Sequence, residues 1–207
     1  LSMRTSGPGQ TEIEMRGMTS AGGNSPTVGF YLNDTPLTAP ANAQNGKVVI
    51  DPNLYDLNRV EVLRGPQGTL YGSGSMGGTI KLVPNAPDPA AFEASAELIP
   101  SYTDGGGFNR GENAMINLPF GAGGAALRIV GSESHQSGWL DRVVIADGQF
   151  PFETNNLTQR GNVLAAPVAA RYAGVNDTEL KAVRAIVLWK PTEQLSISPL
   201  LMYQRMQ

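Results

Sequence analysis

The stretch Arg59–Pro84, RVEVLRGPQGTLYGSGSMGGTIKLVP, places one β-type run, RVEVLRG, and another, GGTIKLV, on either side of a glycine-dense middle. Six of the 14 residues from Gly65 to Gly78 are glycine. Two physical readings compete for so much backbone freedom: a phosphate loop, or a tight crossing between two strands in a crowded interior. Gly72-Ser73-Gly74-Ser75-Met76-Gly77 matches G-x-G-x-x-G by letter, and Glu97 stands at about the distance of a ribose-binding acid. That motif works only when it opens a helix whose N-terminus holds the pyrophosphate. Here Thr79-Ile80-Lys81-Leu82-Val83 follows at once and runs into Pro84, Pro87 and Pro89. The sequence therefore predicts a strand after the glycines and no nucleotide site. No G-K-[ST] is present at this loop either.

The three prolines predict a boundary near residue 90. Before it lie short β-type runs, TEIEMRGM, TVGFYLND, NRVEVLRG and GGTIKLV, separated by turn-rich segments. Asp51-Pro52 ahead of NLYDL reads as an N-cap, a proline at the first helical position and one or two helical turns. Residues 1–90 are thus expected to form a small α+β unit.

After residue 90 the runs lengthen and alternate. Ala94, Ala96, Leu98 and Tyr102 share one face of a strand, against Ser95, Glu97 and Ser101, with Ile99 out of pattern. Ala114, Ile116, Leu118 and Phe120 alternate against Asn113 and Asn117. Ala125, Leu127 and Ile129 alternate around Arg128. Leu195, Ile197, Leu201 and Tyr203 alternate against Ser196 and Ser198, whereas Lys181–Trp189 is strand-like but mixed. Period-2 alternation means one apolar and one polar face. FGAGGA (120–125) and KPTEQ (190–194) are short connections; DGGGFNRG (104–111) is longer and Asp141–Glu179 much longer. Short turns at one end and long loops at the other match a transmembrane β-barrel. A soluble antiparallel sandwich shows the same alternation, and loop asymmetry favours the barrel.

Composition narrows the chemistry. The chain has 207 residues, a formal charge of −3, no cysteine and one histidine, His135. Thiol chemistry and most zinc sites are excluded. No basic patch recommends nucleic acid as a partner. No nucleophile–base pair or acidic dyad in a recognisable motif supports an enzyme, and no metal site or cofactor is expected; His135 beside Glu133 reads as a polar residue near a strand end. No apolar run approaches the ~18 residues of a membrane helix, and LSMRTSGPGQ lacks the pattern of a signal peptide.

The block RVEVLRGPQGTLYGSGSMGGTIKLVPNAP closely resembles the plug signature of TonB-dependent outer-membrane receptors. MRGMTS (15–20), SPTVGFYLNDTPL (25–37) and DPNLYDL (51–57) match further plug blocks in the family's order, and the alternating strands match the start of its barrel. The resemblance implies an α+β plug domain (1–90, lacking its N-terminal part) followed by about the first five antiparallel transmembrane strands (91–207) of a 22-stranded plugged barrel. It implies a fragment of a Gram-negative outer-membrane transporter. Such a receptor binds an external solute (an iron-siderophore, cobalamin, a saccharide or similar) and imports it with energy from TonB, engaged through an N-terminal box outside this chain. A soluble extracellular β-rich binding module is the alternative.

By the same resemblance, Arg64 and Glu61 are expected to pair the plug with the barrel, Arg64 with carboxylates beyond residue 207. Arg16, Met18, Asn42, Gln44 and Asn45 stand on plug loops expected to face the ligand. Gly65, Pro66, Gly68, Tyr71, Gly72, Gly77 and Gly78 form the structural motif. Trp139 suits an interfacial aromatic girdle in contact with outer-membrane lipid, and Trp189 suits either girdle or packing.

Overall fold

The computed structural model describes residues 1–5, 11–18, 27–37, 48–49, 52–121, 124–146 and 167–207. In chain order, the first part contains β1 (Ser2–Thr5), β2 (Thr11–Glu14), β3 (Val28–Leu32), β4 (Thr35–Pro36), β5 (Val48–Val49), β6 (Leu57–Arg64), the single turn α1 (Gly68–Tyr71) and β7 (Gly78–Pro84). β1, β2 and β5 make a three-stranded sheet. A second sheet has the order β4-β3-β7-β6, with β3 parallel to β7 and β6 antiparallel to it.

Period-2 alternation builds the core between these strands. Val28, Phe30 and Leu32 point to one side of β3, and the register sets Phe30 beside Ile80 and Leu32 beside Leu82. Ile13 and Met15 close over them. At ~25 cal/mol per Å2, each such side chain contributes about 1.5–3 kcal/mol by leaving water.

The glycine segment is a closed excursion between β6 and β7. The Gly65 N–H donates to the Gly77 carbonyl (3.1 Å) and the Gln67 N–H to the Ser75 carbonyl (2.9 Å). As expected, the strand β7, and no helix, follows the G-x-G-x-x-G letters; α1 precedes them. Gly78 shows why a side chain is excluded. Its φ is +150°, and a Cβ would collide with the Met15 Sδ and the Leu63 carbonyl oxygen.

Pro52–Leu57 does not form the expected helical turns; Asp51 lies outside the described residues. Pro52–Leu54 is irregular, a turn covers Tyr55 and Asp56, and β6 starts at Leu57. The Asn53 side chain accepts from the Tyr55 N–H (2.8 Å), a local bond that competes with the helix. Asp56 then takes φ +60°, which ends any right-handed helix.

The second part contains β8 (Glu93–Tyr102), β9 (Phe108–Phe120), β10 (Ala125–Gln136), β11 (Arg142–Ile145), β12 (Val168–Tyr172), β13 (Thr178–Thr192), β14 (Leu195–Ile197) and β15 (Leu200–Met206). A six-stranded sheet runs β14-β13-β10-β9-β8, with β15 also on β13; β11 and β12 pair separately. The alternating run 195–203 is two strands, because Pro199 has no N–H for the ladder and only its carbonyl bonds Val187 (3.1 Å). The segment expected as one long loop, 141–179, contains the β11–β12 hairpin; residues 147–166 lie outside the described set.

Two compact units divide the chain: Leu1–Glu97 with Glu112–Glu133 and Leu180–Gln207, and Leu98–Gly111 with Ser134–Glu179. In the second unit Asn109 organises a turn. Its amide donates to Thr103 Oγ1 (2.8 Å), and its oxygen accepts from the Ser137 N–H (2.7 Å). Ile99, out of pattern in sequence, packs over Gly111, where a Cβ would approach it to 3.3 Å. No described helix is long and apolar enough to cross a membrane, which says nothing of strands.

Gly78→Ala is expected to destabilise the β6–β7 crossing by about 2–3 kcal/mol, from a disfavoured φ and an overpacked neighbour. Limited proteolysis of the full-length protein checks this: cleavage within residues 57–84 should rise, while Gly68→Ala, whose Cβ meets nothing within 4 Å, should leave it unchanged.

Candidate functional site

The first unit is joined to its long strands through one buried carboxylate. Asp56 sits at the left-handed turn before β6. Its Oδ1 accepts from Arg128 Nη2 (2.6 Å) and Asn85 Nδ2 (2.8 Å), and its Oδ2 from Arg128 Nε (2.8 Å). The Arg128 pairing is bidentate, the geometry that suits guanidinium to carboxylate. Arg184 Nη2 donates to the carbonyls of Tyr55 (2.9 Å) and Asp56 (3.0 Å), and lies 3.8 Å from Asp56 Oδ2. Arg128 Nη1 also reaches Glu93 Oε2 (2.9 Å). The side chains of Asp56, Arg128 and Arg184 are only 6%, 7% and 6% exposed.

Strand alternation delivers both arginines. β10 and β13 are neighbours in the sheet. On β10, Ala126, Arg128 and Val130 are buried on one face; on β13, Arg184 and Ile186 are. Met202 of β15 packs against the core of the first sheets, and Gln204 Oε1 accepts from the Asn53 N–H (3.1 Å). Even-numbered residues of these strands therefore face the N-terminal body. Lys181–Trp189 reads as mixed in sequence because Ile186, an apolar residue, also lies on that inner face.

Burial alone would raise the Asp56 pKa. The hydrogen bonds from Arg128 and Asn85, with the charges of Arg128 and Arg184, outweigh it and hold the carboxyl below its usual value.

A second joint is uncharged. Asn117 of β9 is fully buried; its Oδ1 accepts from the Asp88 N–H (2.9 Å), and its Nδ2 donates to the carbonyls of Asp88 (2.8 Å) and Ala91 (2.6 Å). It fixes the proline-rich link into β8. On β8, Ser95 shares a hydrogen bond with Tyr55 (2.9 Å), so odd-numbered residues face the N-terminal body.

The sequence-derived candidates fall elsewhere. Arg64 ends β6 exposed, opposite Gly78 in the register. Glu61 is bonded by Arg59 on the same strand (2.7 Å). Arg16, at φ +58°, and Met18 are exposed in the turn after β2; the Arg16 guanidinium lies 3.3 Å from where a Gly65 Cβ would stand. Asn42, Gln44 and Asn45 lie outside the described residues. Within the motif, the Tyr71 carbonyl accepts from Tyr31 Oη (2.7 Å) and Ser75 Oγ (3.2 Å), and the two tyrosine rings meet edge to face at 5.0 Å. Pro66 and Gly72 are exposed, and Gly77 lies buried where its Cβ would stand 3.1 Å from the Met15 carbonyl. Among the described residues no group of His, Asp and Glu could hold a metal.

A small α+β body pinned by side chains of long antiparallel strands defines the class: a plug with adjoining barrel-type strands. Residues 2–79 match the family model of the TonB-dependent receptor plug domain. The pesticin receptors of Yersinia enterocolitica and Yersinia pestis are 39% identical over 77 residues, 37% of this chain and 10% of theirs. The pyoverdine outer-membrane receptor of Pseudomonas aeruginosa superposes with a TM-score of 0.64 at 17% identity, covering 98% of this chain and 23% of that one. The siderophore receptor PirA of the same organism gives 0.57 at 17% identity, with 96% and 30% covered. Residues 2–79 thus carry a plug domain of the TonB-dependent receptor type, and the chain spans a small part of the length of these relatives.

Asp56→Ala in the full-length receptor leaves Arg128 and Arg184 buried without their carboxylate, at a cost of about 3–5 kcal/mol. Protease protection of the plug in isolated outer membranes should fall. The folded pKa of Asp56 lies below the unfolded value, so its stabilisation is present above about pH 4 and is lost as pH falls through the folded pKa. Denaturation of the wild type across that acidic window should show the loss, and Asp56→Asn should abolish that component.

Proposed function

We propose that this chain is the plug (1–90) and first strands (91–207) of a closed, 22-stranded barrel that binds an external solute and imports it with TonB-transmitted energy. It is a transporter and not an enzyme. The observation that carries this reading is the buried Asp56–Arg128–Arg184 joint: a plug pinned by inward-facing strand residues is a stopper, and a stopper has a use only if solute passes when it moves. In this reading Arg64 and Glu61 pair the plug with the barrel, Arg64 with carboxylates beyond residue 207, and the loops at Arg16, Met18, Asn42, Gln44 and Asn45 face the ligand. Of the Pseudomonas structures named above, one is a siderophore receptor and the other a pyoverdine receptor, which supports an iron chelate ahead of cobalamin or a saccharide.

The test is uptake of radiolabelled iron, presented as a panel of ferric siderophores, by cells expressing the full-length receptor with and without functional TonB. Binding in both strains with accumulation only in the TonB-positive one is expected. Recovery of the protein in the medium, with no membrane-bound form, would instead favour a soluble extracellular β-rich binding module.

The same reading orients β8. Ser95 faces the plug, so Leu98 lies on the opposite, lipid-facing side, where it is 77% exposed. Leu98→Arg should cost about 2–4 kcal/mol near the midplane, and Ser101→Arg little. Heat-modifiable migration of the full-length receptor after urea titration reads the difference.

A further inference from the structure

Beside the Asp56 joint, two buried donors meet no acceptor among the described residues. Arg184 is 5% exposed. Its Nη2 serves the carbonyls of Tyr55 and Asp56, but its Nε–H, which can only donate, has no partner there. The Ser132 Oγ of β10 is buried and unpartnered in the same way. Ser132 continues the even-numbered series Ala126, Arg128 and Val130, so strand alternation turns it towards the plug as well. Both side chains border one small space, with Val130 and Ala182 of the strands, Gln204 of β15 and Asn53. At its edge the Gln204 Oε1 accepts from the Asn53 N–H (3.1 Å).

A buried donor with no acceptor loses its solvation and gains nothing in return. Two such donors at one joint would cancel much of what its hydrogen bonds contribute. The space they border holds about 10 Å³, the volume of a single water molecule. Two polar partners are enough to order a water in such a place. A water oxygen has two lone pairs and accepts from both donors at once. Size and charge both speak against an anion here. A halide is larger than water, and Asp56 Oδ2, 3.8 Å from Arg184 Nη2, already balances the guanidinium.

We propose that this space binds one ordered water, which accepts from Arg184 Nε and Ser132 Oγ and bridges β10 to β13 beside the plug. Ser132 is thereby a positioning residue for Arg184. Through the water it fixes the Nε side of the guanidinium, while Nη2 holds the left-handed turn at Tyr55 and Asp56. The site needs only the contacts around the Asp56 joint and stands apart from whether solute passes.

Crystals of the full-length receptor test this. Density for one water within hydrogen-bonding distance of Arg184 Nε and Ser132 Oγ is expected. No density there overturns the proposal. An anomalous peak at the site after a bromide soak overturns it too, by showing an anion site. Protease cleavage of the plug in isolated outer membranes gives a second measurement, and its sign decides. Removing a hydroxyl that meets nothing relieves a penalty, so Ser132→Ala would then slow cleavage or leave it unchanged. Removing one that holds a water loosens the partner of Arg184 Nε. The bound water therefore predicts faster cleavage in Ser132→Ala, on the order of threefold to tenfold. Ser132→Thr, which keeps the hydroxyl, should be cleaved as the wild type is. Unchanged or slower cleavage in Ser132→Ala overturns the proposal.

Discussion

The plug is held by a carboxylate that cannot be left alone. Asp56 is buried, and a buried charge must be paired and hydrogen-bonded or it becomes a large penalty. The pairing requirement propagates outward. It fixes the left-handed turn at Asp56, because Arg184 takes the Tyr55 and Asp56 carbonyls that this turn presents. It fixes which faces of β10 and β13 look inward, because a one-residue slip of either strand would send its arginine to the other side. It ties the ends of β6 and β7 together through Asn85, which bonds both the side chain and the backbone of Asp56.

Such a joint is specific more than it is strong. Well-packed apolar residues in its place would stabilise as much or more. Its partners are polar groups that water also satisfies, so separating them costs less than opening an apolar core of the same area would. Asn117 works differently. Fully buried and bonded through both amide atoms to the Asp88–Ala91 link, it holds the point where the chain leaves the plug for β8.

Much of the architecture was legible in the sequence for local reasons. Period-2 alternation in 94–102, 113–120 and 125–129, broken at Ile99, separates Ser95 from Leu98 and Asn117 from Leu118; the hydrogen bonds of Ser95 and Asn117 put both on the plug side. The glycines of 65–78 marked a crossing too tight for a Cβ, as Gly78 proves against Met15 and Leu63. The family signature lies in this same segment. By contrast, Asp56 was hidden inside an apparent helix start, since Asp-Pro followed by Asn-Leu-Tyr carries the local signals of a cap and first turn. The local bond from Asn53 and the pull of two distant arginines overrode them.

Arg128 and Arg184 carried only a weak signal: each is a charged residue where its strand would otherwise present apolar or small side chains. Their partner lies 72 and 128 residues away. Alternation fixes which face a side chain takes, and sequence by itself determined that much, together with the glycine crossing and the resemblance to the plug family. Which plug atom meets which strand residue depends on how a turn of the plug docks against two neighbouring strands. That is set by burial and charge pairing between segments far apart in the chain, so only the tertiary structure decided it.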